Sequence, residues 1–277
     1  MGILALFTCK KYMTHSKFTG KNARIRLGLA LAGTLFAATS AHATTLEYDF
    51  VELLGSSSTS NYGNVVTFSN YQASNGLTMK ATAWATTASG GKFATAFLPQ
   101  FQSAGYGLGN CNQNFSISSC NGDLANHQVD NVSGLYEFIL FQFSKPVDLD
   151  RFSINPYNPT TGYDRDVTYY LGNATYGVNL AGLTIAGLTG AGFTTRIDSD
   201  SSVSDSARTV IDAGLVKVNS ILIGARVVGG SPINDNIIDR FKIDSIQVIT
   251  TPEPGTFALV GLALIGIGLA RRRPKAS

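Results

Sequence analysis

Histidine and cysteine are scarce in this chain, with three of each among 277 residues. Only His127 and two of the cysteines follow residue 43. The sequence also lacks G-x-S-x-G, H-E-x-x-H and a P-loop, which are common nucleophile, zinc and nucleotide motifs. A Ser-His-Asp triad would have to use His127. With no recognisable nucleophile–base pair, the sequence favours a protein that is not an enzyme.

Positive charge is scarce between the two ends of the chain. Ten of the 21 Lys and Arg residues lie before residue 44 or after residue 270. Residues 44–270 therefore keep 11 basic residues (21 − 10) against all 18 acidic ones, a net charge of −7. No basic stripe is available for phosphates, so a nucleic-acid partner is not expected.

Between the ends, no segment has a sustained apolar period of 3.6 residues, except that 205–213 could form a short helix. Short apolar runs separated by Gly, Ser and Asn instead predict about ten strands. The predicted fold is all-β, an antiparallel β-sandwich with a jelly-roll-like topology. Residues 100–131 and 172–190 are interpreted as long loops, the second of them as a loose hairpin. The strands are predicted at 45–53, 64–69, 77–85, 92–98, 135–143, 148–154, 166–171, 192–197, 220–228 and 240–250.

The first 43 residues have the pattern of a secretory signal peptide. Six basic residues lie between positions 10 and 26, an apolar run follows at 27–38, and Ala41-His42-Ala43 is a small-x-small cleavage site. We expect recognition by an export translocon and cleavage by signal peptidase after Ala43. The basic region is long for a leader. Translation from Met13 would give a leader of ordinary length.

The last 27 residues, 251–277, have the pattern of a second targeting segment. A Pro-Glu-Pro triplet cannot continue a helix, and the following 16 residues, 255–270, carry no charge. As a helix they span about 24 Å, which makes them a marginal single transmembrane helix. A buried C-terminal helix is the alternative, but a basic stop directly after the apolar run indicates a membrane segment. The residues concerned are Pro252, Glu253 and Pro254, with Arg271, Arg272 and Arg273 as the stop.

This tail resembles the PEP-CTERM sorting signal of bacterial exosortase substrates. The resemblance covers about the last 25 residues and matches in order, spacing and terminal position. It implies that the exported protein is held transiently in the inner membrane until an exosortase cleaves near the triplet. The product then reaches the cell surface or the extracellular matrix of a polysaccharide-producing bacterium. Residues 44–250 are the predicted secreted domain, and the resemblance implies no activity for it.

The middle of the secreted domain holds two cysteines and a dense polar cluster. Cys111 and Cys120 are predicted to form a disulfide, because the exported chain meets an oxidising compartment. N-H-Q-V-D-N follows at 126–131 and precedes the apolar run at 135–143. With the F-K-I-D run at 241–244, this arrangement is similar to a subset of exosortase-dependent surface proteins. That similarity extends over roughly residues 105–155 and implies no biochemical role.

His127, Asp130 and Asn131 form a candidate ligand loop for Ca²⁺ or a sugar. The alternative is a loop whose side chains cap turns, which is favoured because Ca²⁺ needs about six to eight oxygen ligands. Asp164 with Asp166, and residues 234–236 with Asp239, allow the same two interpretations. No resident metal or cofactor is predicted, although Ca²⁺ remains an alternative.

The expected function is that of a structural or adhesive protein of the cell surface or biofilm matrix. Extracellular polysaccharide is the expected partner, alongside the exosortase and the inner membrane. One alternative is a Ca²⁺-dependent carbohydrate-binding module. The second is a polysaccharide hydrolase, since a glycosidase needs only two carboxylates.

Overall fold

Strands dominate the part of the chain that a computed structural model describes: residues 43–52, 64–68, 76–87, 91–101, 107–112, 120, 127–155, 163–200, 207–212, 214, 216–227 and 237–250. Within those ranges two 3₁₀ helices also occur, Val132–Gly134 and Ile185–Ala191. The prediction of an all-β body is confirmed. The strands are β1 Thr44–Asp49, β2 Val65–Phe68, β3 Met79–Thr86, β4 Phe93–Phe97, β5 Gln100–Phe101, β6 Gly107–Leu108, β7 Cys111–Asn112, β8 Val129–Asp130, β9 Glu137–Asn155, β10 Tyr163–Asp164, β11 Val167–Gly172, β12 Phe193–Ser199, β13 Arg208–Ile211, β14 Lys217–Ala225 and β15 Ile238–Thr250.

The longest described strand, β9, belongs to two layers. Its first seven residues are buried on both faces, whereas residues 144–146 are exposed and the remainder alternates. Pro146 lies in the exposed stretch, where a missing N–H and a bend are tolerated. Ser144 fixes this corner to the neighbouring segment, because its Oγ accepts a hydrogen bond from the Thr78 N–H at 2.9 Å. The sequence predicted two strands here, and the structure joins them into one.

Two layers are built on the two halves of β9. The first half lies between β14 and β3, which gives the order β12-β11-β14-β9-β3, with β2 and β4 both on the far edge of β3. The second half lies between β13 and β15, and β1 pairs with β15. The pairs within both layers are antiparallel. The predicted jelly-roll topology stays a prediction.

The two layers face each other across an aromatic core. The Phe50 ring, just after β1, stacks on the Phe141 ring of β9 with centroids 5.5 Å apart. The Phe152 ring meets the edge of the Tyr169 ring of β11 at 5.4 Å. Because each contact joins one layer to the other, these faces form the interior of a sandwich. The burial of these rings supplies much of the free energy that holds the layers together.

A bulge in β9 keeps its second half in phase with this core. Leu149 pairs with Val248 and Arg151 with Gln247, so Asp150 is an extra residue on the β9 side. A bulge of this kind shifts the alternation by one position. Leu149 and Phe152 are therefore both buried, although their odd spacing in the sequence would place them on opposite faces.

A second apolar cluster covers the outer face of the first layer. Residues 173–192, which include the 3₁₀ helix Ile185–Ala191, fold over Phe138, Tyr170 and Leu222. The segment is fastened to β4 by the Phe93 N–H, which donates to the Leu183 carbonyl at 2.7 Å. The prediction of a loose hairpin at 172–190 is therefore wrong. Apolar side chains from turns and a 3₁₀ helix cover the sheet there instead.

The prediction of a short helix at 205–213 is also wrong. Arg208–Ile211 is β13, which pairs with β9. Thr209, Val210 and Ile211 form a β-branched run that favours extended backbone once an edge is available. The predicted loop at 100–131 contains β5 to β8, whose partners are distant strands that local patterns do not reveal.

No helix among the described residues has the length and apolar character needed to cross a bilayer. The predicted signal peptide at 1–43 lies almost wholly outside the described ranges, as does the sorting segment at 251–277 with its helix at 255–270. Ala41 and the residues of the Pro-Glu-Pro triplet and basic stop are outside them too.

Candidate functional site

The predicted disulfide is confirmed: Cys111 and Cys120 are bonded, with Cα atoms 5.9 Å apart. Both side chains are fully buried. Cys111 lies on β7, where it pairs with Phe97 of β4. The bond therefore ties the polar segment before β8 to the edge of the first layer, and it closes a loop of a size that chain-entropy models associate with roughly 2–3 kcal/mol.

The three residues of the candidate ligand loop point to different neighbours. The His127 ring is buried and lies 4.4 Å from the Phe101 ring, between centroids. Asp130 is 3.9 Å from Arg240 Nε and accepts a hydrogen bond from the Val132 N–H. Burial raises the pKa of Asp130 to about 6, although the Val132 N–H and Arg240 oppose this. These contacts are those of residues that join β8 to the rest of the fold.

Asn131 joins three strands through its amide. Its Oδ1 accepts from the Asp239 N–H at 3.0 Å, and its Nδ2 donates to Asp239 Oδ2 at 2.6 Å. The same Nδ2 donates to the Arg226 carbonyl at 3.2 Å. Asn131 therefore connects the end of β8 to the start of β15 and to the end of β14, and it brings the loop to an acidic cluster.

The acidic cluster consists of Asp164, Asp166 and Asp239. One carboxylate oxygen from each lies within 4.8 Å of the others, and all three side chains are buried. Parallel pairing of β10 with β15 sets Asp164 opposite Asp239. The Asp166 N–H donates to Asp239 Oδ1 at 2.9 Å. Two segments that the sequence singled out separately are thus brought together with Asn131.

Two arginines surround the cluster. Arg226 Nη1 is 3.3 Å from Asp166 Oδ2 and also contacts Asp200. Arg208 donates to the Arg165 carbonyl at 2.7 Å, and burial lowers its pKa while the three clustered aspartates raise it. Buried acids need such partners because an isolated charge in the interior is costly.

Asp239 carries the clearest electrostatic signature of the cluster. Burial raises its pKa to about 8, and Asp166 and Asp164 add to the rise, while hydrogen bonds from the Asp166 N–H and Asn131 oppose it. Near neutral pH this carboxyl is therefore largely protonated. A hard divalent cation such as Ca²⁺ would displace that proton and take carboxylate oxygens as ligands.

Sequence reasoning missed two further buried groups near β8. The Lys242 side chain is fully buried, with its Nζ 3.7 Å from the centre of the Phe101 ring. Glu137 is buried too, and burial together with Asp130 raises its pKa well above the usual value. Lys242 lies within the F-K-I-D run, but nothing in that run indicates which segment would cover it.

The C-terminal segment of the chain matches a known family model. The family model described as PEP-CTERM protein-sorting motif matches residues 250–273. The chain therefore carries this sorting motif, and the resemblance of the tail inferred from the sequence is confirmed. The similarity over residues 105–155 stays a prediction. No curated protein matches the chain.

The chain is similar to several solved structures, two of which are described. One is the family 32 CBM from C. perfringens NanJ in complex with galactose, at 14% identity over 61% of this chain and 92% of that one, with a TM-score of 0.26. Another is a DUF4465 family protein from Bacteroides ovatus ATCC 8483, at 8% identity over 76% of this chain and 100% of that one, with a TM-score of 0.29. At scores this low, neither similarity adds to what the strand pairings themselves establish.

Proposed function

We propose that the protein is an exosortase-processed component of the cell surface or extracellular matrix. The observation that carries this proposal is the sorting motif at residues 250–273. The signal peptide exports the chain, and the apolar helix holds it transiently in the inner membrane with Arg271–Arg273 on the cytoplasmic side. Exosortase then cleaves near Pro252–Pro254 and releases the β-rich body.

The body has a structural or adhesive role rather than an enzymatic one in this proposal. It is acidic and tied by a disulfide, as suits an exported protein that must persist outside the cell. The polar clusters at β8 and β15 are buried and internally paired, so they serve the fold. Contact with extracellular polysaccharide would then come from the surface of the sandwich.

Changes within the sorting motif should separate export from release. Replacement of Glu253 by Ala, or deletion of Arg271–Arg273, should leave a longer chain in the membrane fraction, because recognition or orientation of the helix is lost. Ser277→Ala is the matched control, since it lies outside the matched residues. Cell fractionation with mass spectrometry of the protein gives the readout. Equal release and equal mass for all variants would rule out the sorting proposal.

A Ca²⁺-dependent carbohydrate-binding module is the second candidate, favoured by the convergence of Asp164, Asp166 and Asp239. The Asn131 side chain adjoins the same cluster. The three carboxylates offer oxygen ligands, whereas the Asn131 amide presents its Nδ2 to Asp239. A cation bound by the carboxylates would fix β10 and β15 relative to one another. The cation would thus order the strand ends from which the neighbouring loops begin.

If Ca²⁺ binds this cluster, it should raise the melting temperature of the exported protein by about 5–10 °C at a concentration about 100 times Kd. EDTA should reverse the rise, and Asp239→Asn should abolish it. Asp150→Asn is the control, because Asp150 pairs only with exposed Arg151 among the described ion pairs. Differential scanning calorimetry with and without EDTA measures this. If neither Ca²⁺ nor EDTA changes the melting temperature, the Ca²⁺ candidate is eliminated.

A further inference from the structure

A cleft of about 490 Å³ lies on the outer face of the first layer, and none of its described lining residues belongs to the acidic cluster. Its volume falls within the range of about 300–1,000 Å³ typical of small-molecule sites. Tyr170, Phe193 and Val227, all buried, come from or directly follow the strands of the sheet. Ile185 and Thr189 come from the 3₁₀ helix that covers this face. The cleft therefore opens where the covering segment meets the sheet.

The Tyr170 hydroxyl lacks a hydrogen-bond partner within the described part of the chain. The side chain is only 5% exposed, and it lines the cleft. Buried hydroxyls are almost always paired, so an unpaired one in a cleft wall indicates a partner that the described residues do not supply. Burial raises the pKa of Tyr170, so the hydroxyl stays protonated and can donate to an oxygen in the cleft.

Among the described residues that line the cleft, Arg196 alone is charged. Its Nε and Nη2 donate to Asp198 Oδ1 at 3.2 and 3.1 Å, and Nη2 also donates to the Val227 carbonyl at 2.8 Å. These bonds fix the guanidinium, whose carbon lies 6.0 Å from the centre of the Tyr170 ring. Nη1 has no acceptor among the described residues, so two N–H donors remain for an anionic oxygen.

The rest of the lining combines apolar surface with hydroxyls. Phe193 and Ile185 offer apolar contact, while Thr189 and Thr194 offer exposed hydroxyl groups. A ligand that fits must present an apolar face, several hydroxyls and one anionic oxygen group. A sugar ring has C–H faces and hydroxyl edges, and a uronic acid adds the carboxylate. Fixed Arg side chains recognise carboxylates well.

We propose that this cleft binds a uronic acid residue of an acidic polysaccharide. The carboxylate accepts from Arg196 Nη1, a ring or hydroxyl oxygen accepts from Tyr170, and the sugar face packs on the apolar wall. This inference rests on the proposed contact with extracellular polysaccharide and names its site and ligand class. It requires no cation and uses none of the residues of the acidic cluster.

The test is isothermal titration calorimetry of the exported protein. The probes are short oligomers of glucuronate, galacturonate, mannuronate and guluronate, each with its neutral hexose counterpart. We expect at least one uronate oligomer to bind more tightly than its neutral counterpart. Arg196→Gln should weaken that binding about 10- to 100-fold, as expected for loss of a charge-assisted hydrogen bond. Tyr170→Phe should weaken it about 3- to 10-fold.

Matched controls keep the result interpretable. Tyr170→Phe removes a hydroxyl that bonds nothing described, so the fold should retain its melting temperature. Tyr176→Phe and Arg151→Gln change an exposed tyrosine and an exposed arginine outside the lining, and should bind as the unaltered protein does. Absence of binding to every uronate oligomer, or unchanged affinity in both cleft variants, would overturn the inference. The mass of the same preparation shows whether the chain has been processed. If uronate binding fails, the sorting proposal is therefore still tested by its own measurement.

Discussion

At the scale of single residues, burial shifts the pKa of a charged group far from its usual value. Lys242 is fully buried against the Phe101 ring, and burial lowers its pKa to about 7. Alternation along β15 sends Phe241 and Ile243 into the main core and Lys242 to the opposite face. The sequence could predict the two apolar residues. It could not predict the burial of Lys242, because the covering residues come from a segment more than 100 positions away.

Lys242 should make stability depend on pH in the alkaline range. In the folded protein it loses its proton near pH 7, whereas in the unfolded chain it keeps it until about 10.5. Because of Lys242, the unfolded state binds one more proton between those values, so the contribution of Lys242 to the free energy of unfolding should rise with pH across that window. Asp239 opposes this rise up to about pH 8. Lys242→Met should remove this rise, which urea unfolding at pH 7.0 to 9.5 can measure.

Lys217→Met changes an exposed lysine at the start of β14 and serves as the comparison. It should keep the slope of the unaltered protein. Identical slopes for all three proteins would show that Lys242 does not titrate as its burial implies.

At the scale of the strand, the first layer contains a close approach between β14 and β9 at Gly224. Gly224 pairs with Phe138, and a Cβ at Gly224 would meet the Phe138 ring and the Glu137 carbonyl. Glycine is otherwise unfavourable inside a strand, so its presence here follows from this contact. Sequence patterns located most of the long strands within a few residues. They missed the bulge at Asp150 and the continuity of β9, because both depend on the partner strand.

Gly224→Ala should lower the free energy of unfolding by about 1–3 kcal/mol through overpacking against β9. Gly190→Ala is the control, since a Cβ there meets no atom within 4 Å. Urea titrations of the two variants give the comparison. A Gly224→Ala protein as stable as the control would mean that the strands separate more easily than their packing indicates.

At the scale of the whole molecule, the described residues form a β-sandwich, and residues 250–273 match the sorting motif. The sorting motif was predictable from local order and charge, since the Pro-Glu-Pro triplet, the apolar run and the basic residues are contiguous in the sequence. The signal peptide stays a prediction. The acidic cluster was only partly predictable. Asp164 and Asp166 stood out as a pair, but their union with Asp239 and Asn131 results from β10 pairing in parallel with β15. The cleft at Tyr170 had no local signal, because its walls come from four separate segments.

The central claim is that export and sorting remove both ends of the chain. Intact-mass spectrometry of the protein recovered from the cell surface or culture medium tests it most directly. The account predicts one species that begins at Thr44, ends near Pro252–Pro254 and contains the Cys111–Cys120 disulfide. Recovery of the unprocessed chain, with residue 277 still present and the leader retained, would contradict it.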